Sequence, residues 1–433
     1  MVTCPTDAPN VGGFPMPETD RDTPLKEAFD PVAPEKRIDS LDILRGFALF
    51  GVLWMNVPEG GGGSIGRIFD DISSLLALGK FITIFGFLFG VSFSLQWMRA
   101  KAHGRRPAVH SLRRLSALFL IGVVHYVFVW DGDILTSYAL MGVYLLIVQW
   151  LQFSQRTILA VALCLLAVAT VRYEVKLTDL ITRQLGVATH WDITGAELRE
   201  RRRRMAAEEE QSFTTTSYTQ SIRERWEGLR EDLQDRETYI PGIVFVYFLL
   251  GLWAARIGIF RDVRPYRTLL RRTLWWGVPL GVAMFVGRFV SSRLLYAGHN
   301  TWLVDSLFRG AEAIGRPILG LTYVAAILLL LQQERWLRRL SPLKYVGRMA
   351  LTNYLIQSLG FTLVTQSYAF GIYSKLTGVT VLLYTLAFFT AQAYLSRWWL
   401  NRFRFGPVEW IWRSLTYGAV MPWRLRSEAV SRG

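Results

Sequence analysis

Ten apolar stretches run between Arg37 and Trp399, at about 41–57, 78–98, 113–130, 134–151, 156–172, 240–258, 273–290, 314–332, 349–370 and 379–399. Each has the length a helix needs to cross a hydrocarbon layer of ~30 Å at 1.5 Å per residue. The gaps between them alternate in charge. The one at Arg99–Arg114 holds Arg99, Lys101, Arg105, Arg106, Arg113 and Arg114 with no acid. The Arg256–Arg272 gap sets six arginines against Asp262, and the Glu334–Arg348 gap sets Arg335, Arg338, Arg339, Lys344 and Arg348 against Glu334. The intervening gaps carry acids: Glu59, Asp70 and Asp71 against Arg67, then Asp131 and Asp133 with no base. Cationic loops resist export, so the alternation predicts an orientation as well as a class. The expectation is an all-α, polytopic transmembrane bundle of about ten helices with both termini in the cytoplasm.

Composition narrows the partners. Hydrophobic residues make up 51% of the chain and mean hydropathy is +0.25, concentrated in the blocks. The net charge of +15 is explained by short loops facing an anionic leaflet. No basic stripe interleaved with exposed aromatics points to nucleic acid. Cys4 and Cys164 build no disulfide framework, and His103, His110, His125, His190 and His299 show no metal-ligand spacing. No metal and no permanently bound cofactor is expected.

Residues 1–36 are rich in Pro, Asp and Thr and lack an apolar signal core, and read as a disordered cytoplasmic tail. The first span then serves as an uncleaved insertion signal. Tryptophans such as Trp54, Trp97, Trp130, Trp150, Trp275, Trp276, Trp398 and Trp399 mark span ends, as indole does at headgroups. Glycines four apart, Gly86/Gly90 and Gly277/Gly281, permit close helix approach. Two five-helix halves, 37–172 and 239–400, flank a charged insert at 173–238 that parity places outside. From Arg172 to Glu237 it holds 12 bases and 14 acids. Charge periodicity there predicts exposed amphipathic helices over Glu197–Met205 and Ser221–Asp235, either capping an outward site or forming a solvated linker. In 401–433, Gly406-Pro407-Val408-Glu409-Trp410 opens a short amphipathic helix on the inner surface, with Glu409 and Arg413 at i,i+4.

Polar residues inside or at the ends of these spans are the candidates for chemistry, since charge in hydrocarbon is costly unless it faces protein or a water-filled cavity. Arg37, Asp39, Asp42 and Arg45 open the first span. They either cap the helix and snorkel, or form an anion site for a phosphate-bearing donor. Asn56 lies eleven residues beyond Arg45, about 16 Å along the same helix face. His125 sits two turns before Asp131-Gly132-Asp133. It is either a structural hydrogen-bonding group or a general base oriented by an acid, while the acids are either a turn or that orienting group. Asn353 and Gln357 share a face of the ninth span, as interhelical bonds or as site residues, with Arg348 just before them. Arg316 beside Pro317, and Glu59 in the first outer loop, could meet an acceptor.

Several segments together resemble the YeiB-type family of bacterial integral membrane proteins. They are Arg37-Ile-Asp39-x-Leu-Asp42-x-Leu-Arg45-Gly46, Lys80-Phe81-x-Thr83-x-Phe85-x-Phe87-Leu88-Phe89-Gly90, and His125 followed by Gly132-Asp133-Ile134-Leu135. Gly347-Arg348-Met349-Ala350-Leu351-Thr352-Asn353-Tyr354 and Gly406-Pro407-x-Glu409-Trp410 complete the set. The N-terminal half is similar to transmembrane acyltransferases, including those that acetylate the terminal glucosamine of heparan sulfate. Arg45-Gly46 and Asn56 match residues that recur in those relatives. They carry a catalytic histidine in the first outer loop, whereas Val57–Gly79 contains none, which leaves His125 as the intramembrane histidine for that role.

The resemblance implies a bacterial inner-membrane acyltransferase that takes an acyl group from a cytoplasmic co-substrate such as acyl-CoA. The acceptor would be an extracytoplasmic envelope glycan or lipid. Arg37, Asp42, Arg45, Arg348 and Asn353 would hold the donor, His125, Asp133 and Asn56 would do the chemistry, and Glu59 and Arg316 would face the acceptor. A transporter or flippase using the same polar path is the rival class, though no internal repeat supports it. The sequence leaves room for a homo-oligomer.

Overall fold

A computed structural model of the chain describes residues 38–58, 72–102, 104, 106–168, 200, 204, 207–208, 210–211, 213–234, 242–296 and 302–424. Arg37, Glu59, the 1–36 tail and most of the Glu197–Met205 stretch lie outside the described residues. Within them the secondary structure is helical, with one isolated bridge between Phe403 and Arg424. The helices are α1 (Asp39–Asn56), α2 (Lys80–Ala102), α3 (Pro107–Phe128), α4 (Leu135–Trp150), α5 (Gln155–Val168), α6 (Tyr218–Gln234) and α7 (Ile243–Ile257). They continue as α8 (Arg267–Tyr296), α9 (Trp302–Leu330), α10 (Glu334–Arg348), α11 (Ala350–Thr365), α12 (Gly378–Leu400) and α13 (Pro407–Tyr417).

Local chemistry sets several ends. Asp39 and Asp42 occupy the first turn of α1, where the exposed N–H groups favour negative charge. Pro107 and Pro407 start α3 and α13, positions where a missing N–H costs nothing. A Thr377–Thr380 capping box opens α12.

Among the described residues, four helical stretches are long and apolar enough to cross a membrane: Ile72–Ala102, Pro107–Phe128, Arg264–Ser291 and Gly378–Leu400. Leu135–Trp150, Gln155–Val168, Ile243–Ile257 and Ile314–Leu330 are shorter apolar helices. Outward-facing side chains are apolar too, among them Trp275, Trp276, Leu383, Tyr394 and Leu395. Water would not tolerate so much exposed apolar surface, and lipid would. The chain is an integral membrane protein.

Backbone-to-backbone contacts organise the bundle. A Cβ on Gly90 would fall on the Phe248 carbonyl of α7, and one on Gly251 would fall on the Phe87 carbonyl of α2. Gly277 and Gly281 of α8 lie against the side chains of Thr322 and Leu319 of α9. Such approaches replace a hydrophobic driving force that lipid cannot supply. α1 and α2 run antiparallel, with Arg45 beside Ser92 and Gly51 beside Phe81.

Two segments differ from the sequence expectation. The basic gap at Glu334–Arg348 is a helix, α10, rather than a loop, and it lies along the first half of α1. Gly46 meets Leu343, Gly347 meets the Asp42 carbonyl, and Lys344 Nζ is 3.4 Å from Asp39 Oδ2. The predicted Ser221–Asp235 helix is present over its described residues, as α6 ending at Gln234, but one of its faces is covered. Leu229 is buried with Tyr126 and Val127 of α3, and the Tyr126 hydroxyl donates to Asp232 Oδ2 at 3.0 Å. The Tyr218 hydroxyl reaches the Phe128 carbonyl, and Phe213 stacks on Tyr373 with centroids 4.4 Å apart. The described part of the insert is therefore docked over the C-terminal end of α3.

Candidate functional site

α3 carries His125 one turn before it ends, and the chain turns through Asp131-Gly132-Asp133 into α4. The His125 side chain is 2% exposed and that of Asp133 is 0%. Their contact, His125 Nδ1 to Asp133 Oδ1, is 2.8 Å. The other carboxylate oxygen, Asp133 Oδ2, accepts from the Thr136 backbone N–H at 2.8 Å and from its hydroxyl at 2.9 Å. Asp133 thus does two things at once: it satisfies the open N-terminus of α4 and it orients the imidazole. Asp131, its neighbour in the turn, is exposed.

Three donors converge on the carboxylate, which is how an acceptor-only group is satisfied. The imidazole therefore presents Nδ1–H to Asp133 and leaves the Nε2 lone pair available. Nε2 is buried and has no hydrogen-bond partner among the described residues. A buried, unpaired imidazole nitrogen is costly for stability and is the atom a general base uses.

Gly122, three residues before His125 on the same face, allows this geometry. A Cβ there would stand 2.7 Å from the Thr136 nitrogen and 3.0 Å from Asp133 Oδ2. On the other side, the Tyr354 ring lies 5.2 Å from the imidazole centroid, and its hydroxyl accepts from the Ile134 N–H at 3.3 Å. Trp130 packs edge-on to Phe361 at 4.9 Å just beyond.

The second polar centre lies toward the start of α3. Arg45 Nη1 is 2.6 Å from Asp42 Oδ1, and Nη2 donates to Ser92 Oγ at 2.6 Å. Of the donor-side residues expected from sequence, Asp42 and Arg45 are thus joined directly. Arg348 is half-buried, and its Nε has no hydrogen-bond partner among the described residues. Asn353 is used otherwise: its Nδ2 donates to the Val346 carbonyl at 3.1 Å and to Ser396 Oγ at 2.9 Å. With Gln357 bonded to Gln392 at 2.8 Å, it ties α10, α11 and α12 together. Asn56, the last residue of α1, is half-buried, and no described contact joins it to His125. Arg316 lies on α9 with its aliphatic stem against Gly79, at the end of α2 away from Ser92.

Sequence reading singled out neither Thr136 nor Tyr354 for this centre. An Asp three residues ahead of a Thr at a helix start is a capping signal, and it could have pointed to Thr136. Tyr354 had no such signal, because only the packing of α11 brings it to His125.

The family model described as a protein of unknown function (DUF418) matches residues 254–419. The uncharacterised protein YxaH of Bacillus subtilis (strain 168) is 30% identical over 424 residues, covering 91% of this chain and 98% of that relative. The uncharacterised protein YeiB of Escherichia coli (strain K12) is 26% identical over 400 residues, covering 88% and 97%. No solved structure matches the chain.

Proposed function

We propose a function for this chain from the premise that it belongs to the DUF418 family of YeiB-like membrane proteins. It is a transmembrane acyltransferase of the bacterial inner membrane. Charge alternation supports crossing by about ten spans with both ends cytoplasmic, which puts Arg45 on the inner side and His125 toward the outer side. The single observation that carries the reading is the buried His125–Asp133 pair with Nε2 unpartnered.

The chemistry follows from that pair. An acceptor hydroxyl or amine loses its proton to His125 Nε2 while its oxygen or nitrogen attacks the donor's thioester carbonyl. The C–S bond then breaks, and the imidazolium returns the proton to the departing thiolate. Asp133 holds the tautomer and stabilises the transient imidazolium. Asn56 offers the developing oxyanion a hydrogen bond. The docked insert helix α6 keeps water from the His125 end, and Arg316 lies on the acceptor's approach.

Membranes bearing the wild-type chain, given radiolabelled acyl-CoA, are expected to accumulate label covalently on an envelope glycan or lipid. His125→Ala at equal protein level should abolish that labelling. Full labelling by the variant would remove His125 as the base, and transport of an unmodified solute by reconstituted protein would favour the carrier instead.

A further inference from the structure

α2 holds two guanidinium groups one turn apart. Arg45 Nη2 donates to Ser92 Oγ, and Arg114 Nη1 donates to Gln96 Oε1. Ser92 and Gln96 are i,i+4, so their side chains share one helix face about 6 Å apart. A third arginine comes from the C-terminal helix α13. The Trp412 indole N–H donates to the Arg114 carbonyl at 2.9 Å, and the Arg114 guanidinium lies 4.4 Å from the Trp412 ring centroid. The next residue, Arg413, sits 4.7 Å from the centroid of Phe405. Arg45, Arg114 and Arg413 all repel one another electrostatically.

The supply of counter-charge is short. Asp42 is committed to Arg45 at 2.6 Å. Glu409, the acid nearest Arg413, accepts from the Leu351 and Thr352 N–H groups at 2.7 and 3.0 Å and from the Thr352 hydroxyl at 2.5 Å. Glu409 still attracts Arg413, but Arg114 and Arg413 are positioned by an amide oxygen and by aromatic faces, which orient a guanidinium without pairing it to an acid. Two such half-buried, pre-oriented cations beside the Asp42-paired Arg45 cost free energy when empty. A multiply charged oxyanion with forked acceptors removes that cost.

We propose that Arg45, Arg114 and Arg413 form a binding site for a phosphate or pyrophosphate group, closed on one side by Trp412 of α13. This deepens the donor side of the reading above and rests on it for biological purpose. It is tested by binding rather than turnover, so either can fail alone. Arg114 and His125 are eleven residues apart on α3, or roughly 16 Å. A donor anchored here by phosphate would have to extend that far toward Nε2.

The test uses the full chain in nanodiscs of phosphatidylcholine, with inorganic pyrophosphate as probe and thermal unfolding as readout. Pyrophosphate is expected to raise the melting temperature saturably, with an affinity that weakens as salt rises. Arg413→Gln and Arg114→Gln should each weaken binding at least tenfold. Arg114→Lys, which keeps the charge but loses the fork, should fall between. Arg264→Gln, at an exposed arginine already paired with Asp262, should bind as wild type. If nanodiscs containing phosphatidylglycerol suppress the pyrophosphate shift, the site takes its phosphate from lipid. If they do not, it prefers a soluble phosphorylated ligand. Either result upholds the site. No saturable shift in the wild type, or equal shifts in wild type and both Gln variants, overturns it.

Discussion

At the scale of single residues, the proposed acyl transfer turns on which atom of His125 is free. Asp133 accepts from Nδ1 and from Thr136, so replacing it with Asn puts an amide N–H where an acceptor is needed and favours the other tautomer. Asp133→Asn should lower acyl transfer by roughly 10²–10⁴-fold while protein levels hold. Substrate-saturated initial rates in membranes would check this, and a variant within twofold of wild type would deny Asp133 its orienting role. Gly122 is the subtler test. A methyl group there would press on Thr136 and Asp133, displacing the carboxylate from the imidazole. Gly122→Ala should therefore cut kcat with little change in KM for the donor, because the proposed phosphate site lies elsewhere.

At the scale of elements, α10 and α13 matter most, and neither is among the described helices long and apolar enough to cross a membrane. The Gly347 backbone touches Asp42 and Gly46 of α1, so Gly347→Ala must separate two helices or strain them. A cost of about 1–3 kcal/mol is expected from such overpacking, read as a lower unfolding temperature of the detergent-solubilised protein. α13 is held by Glu409, whose carboxylate takes the place of a cap at the start of α11. Burial raises the Glu409 carboxyl above its ordinary 4.5, against the lowering effect of its hydrogen bonds. The folded state therefore binds this proton more readily than the unfolded chain. The contribution to stability is full below the ordinary value and is lost as pH rises through the raised one. Unfolding temperature should fall across that window in the wild type and stay flat there in Glu409→Gln. Identical pH profiles would show that Glu409 does not carry the linkage.

At the scale of the whole molecule, the proposed mechanism needs both sides of a bilayer. With Cys4 and Cys164 replaced by Ser, single cysteines at exposed Asp131 and exposed Lys101 should react with an impermeant maleimide from opposite sides of sealed cells. Labelling of both from one side would undo the orientation and the division of donor from acceptor.

The legible part of this protein was what hydrophobic length and charge periodicity encode, because each such signal lies in consecutive residues. The apolar blocks, the close-packing glycines of α2 and α8, and the Asp42–Arg45 start of α1 all fall in that class. So does the nearness of His125 to Asp133, since one tight turn separates them. Other features come from distant parts of the chain. Tyr354 reaches His125 from 229 residues away, Trp412 and Arg413 complete the Arg45 cluster, and α10 lies on α1. Those depend on how helices pack, and packing in lipid is chosen by shape and by paired polar groups. No local pattern announces that choice.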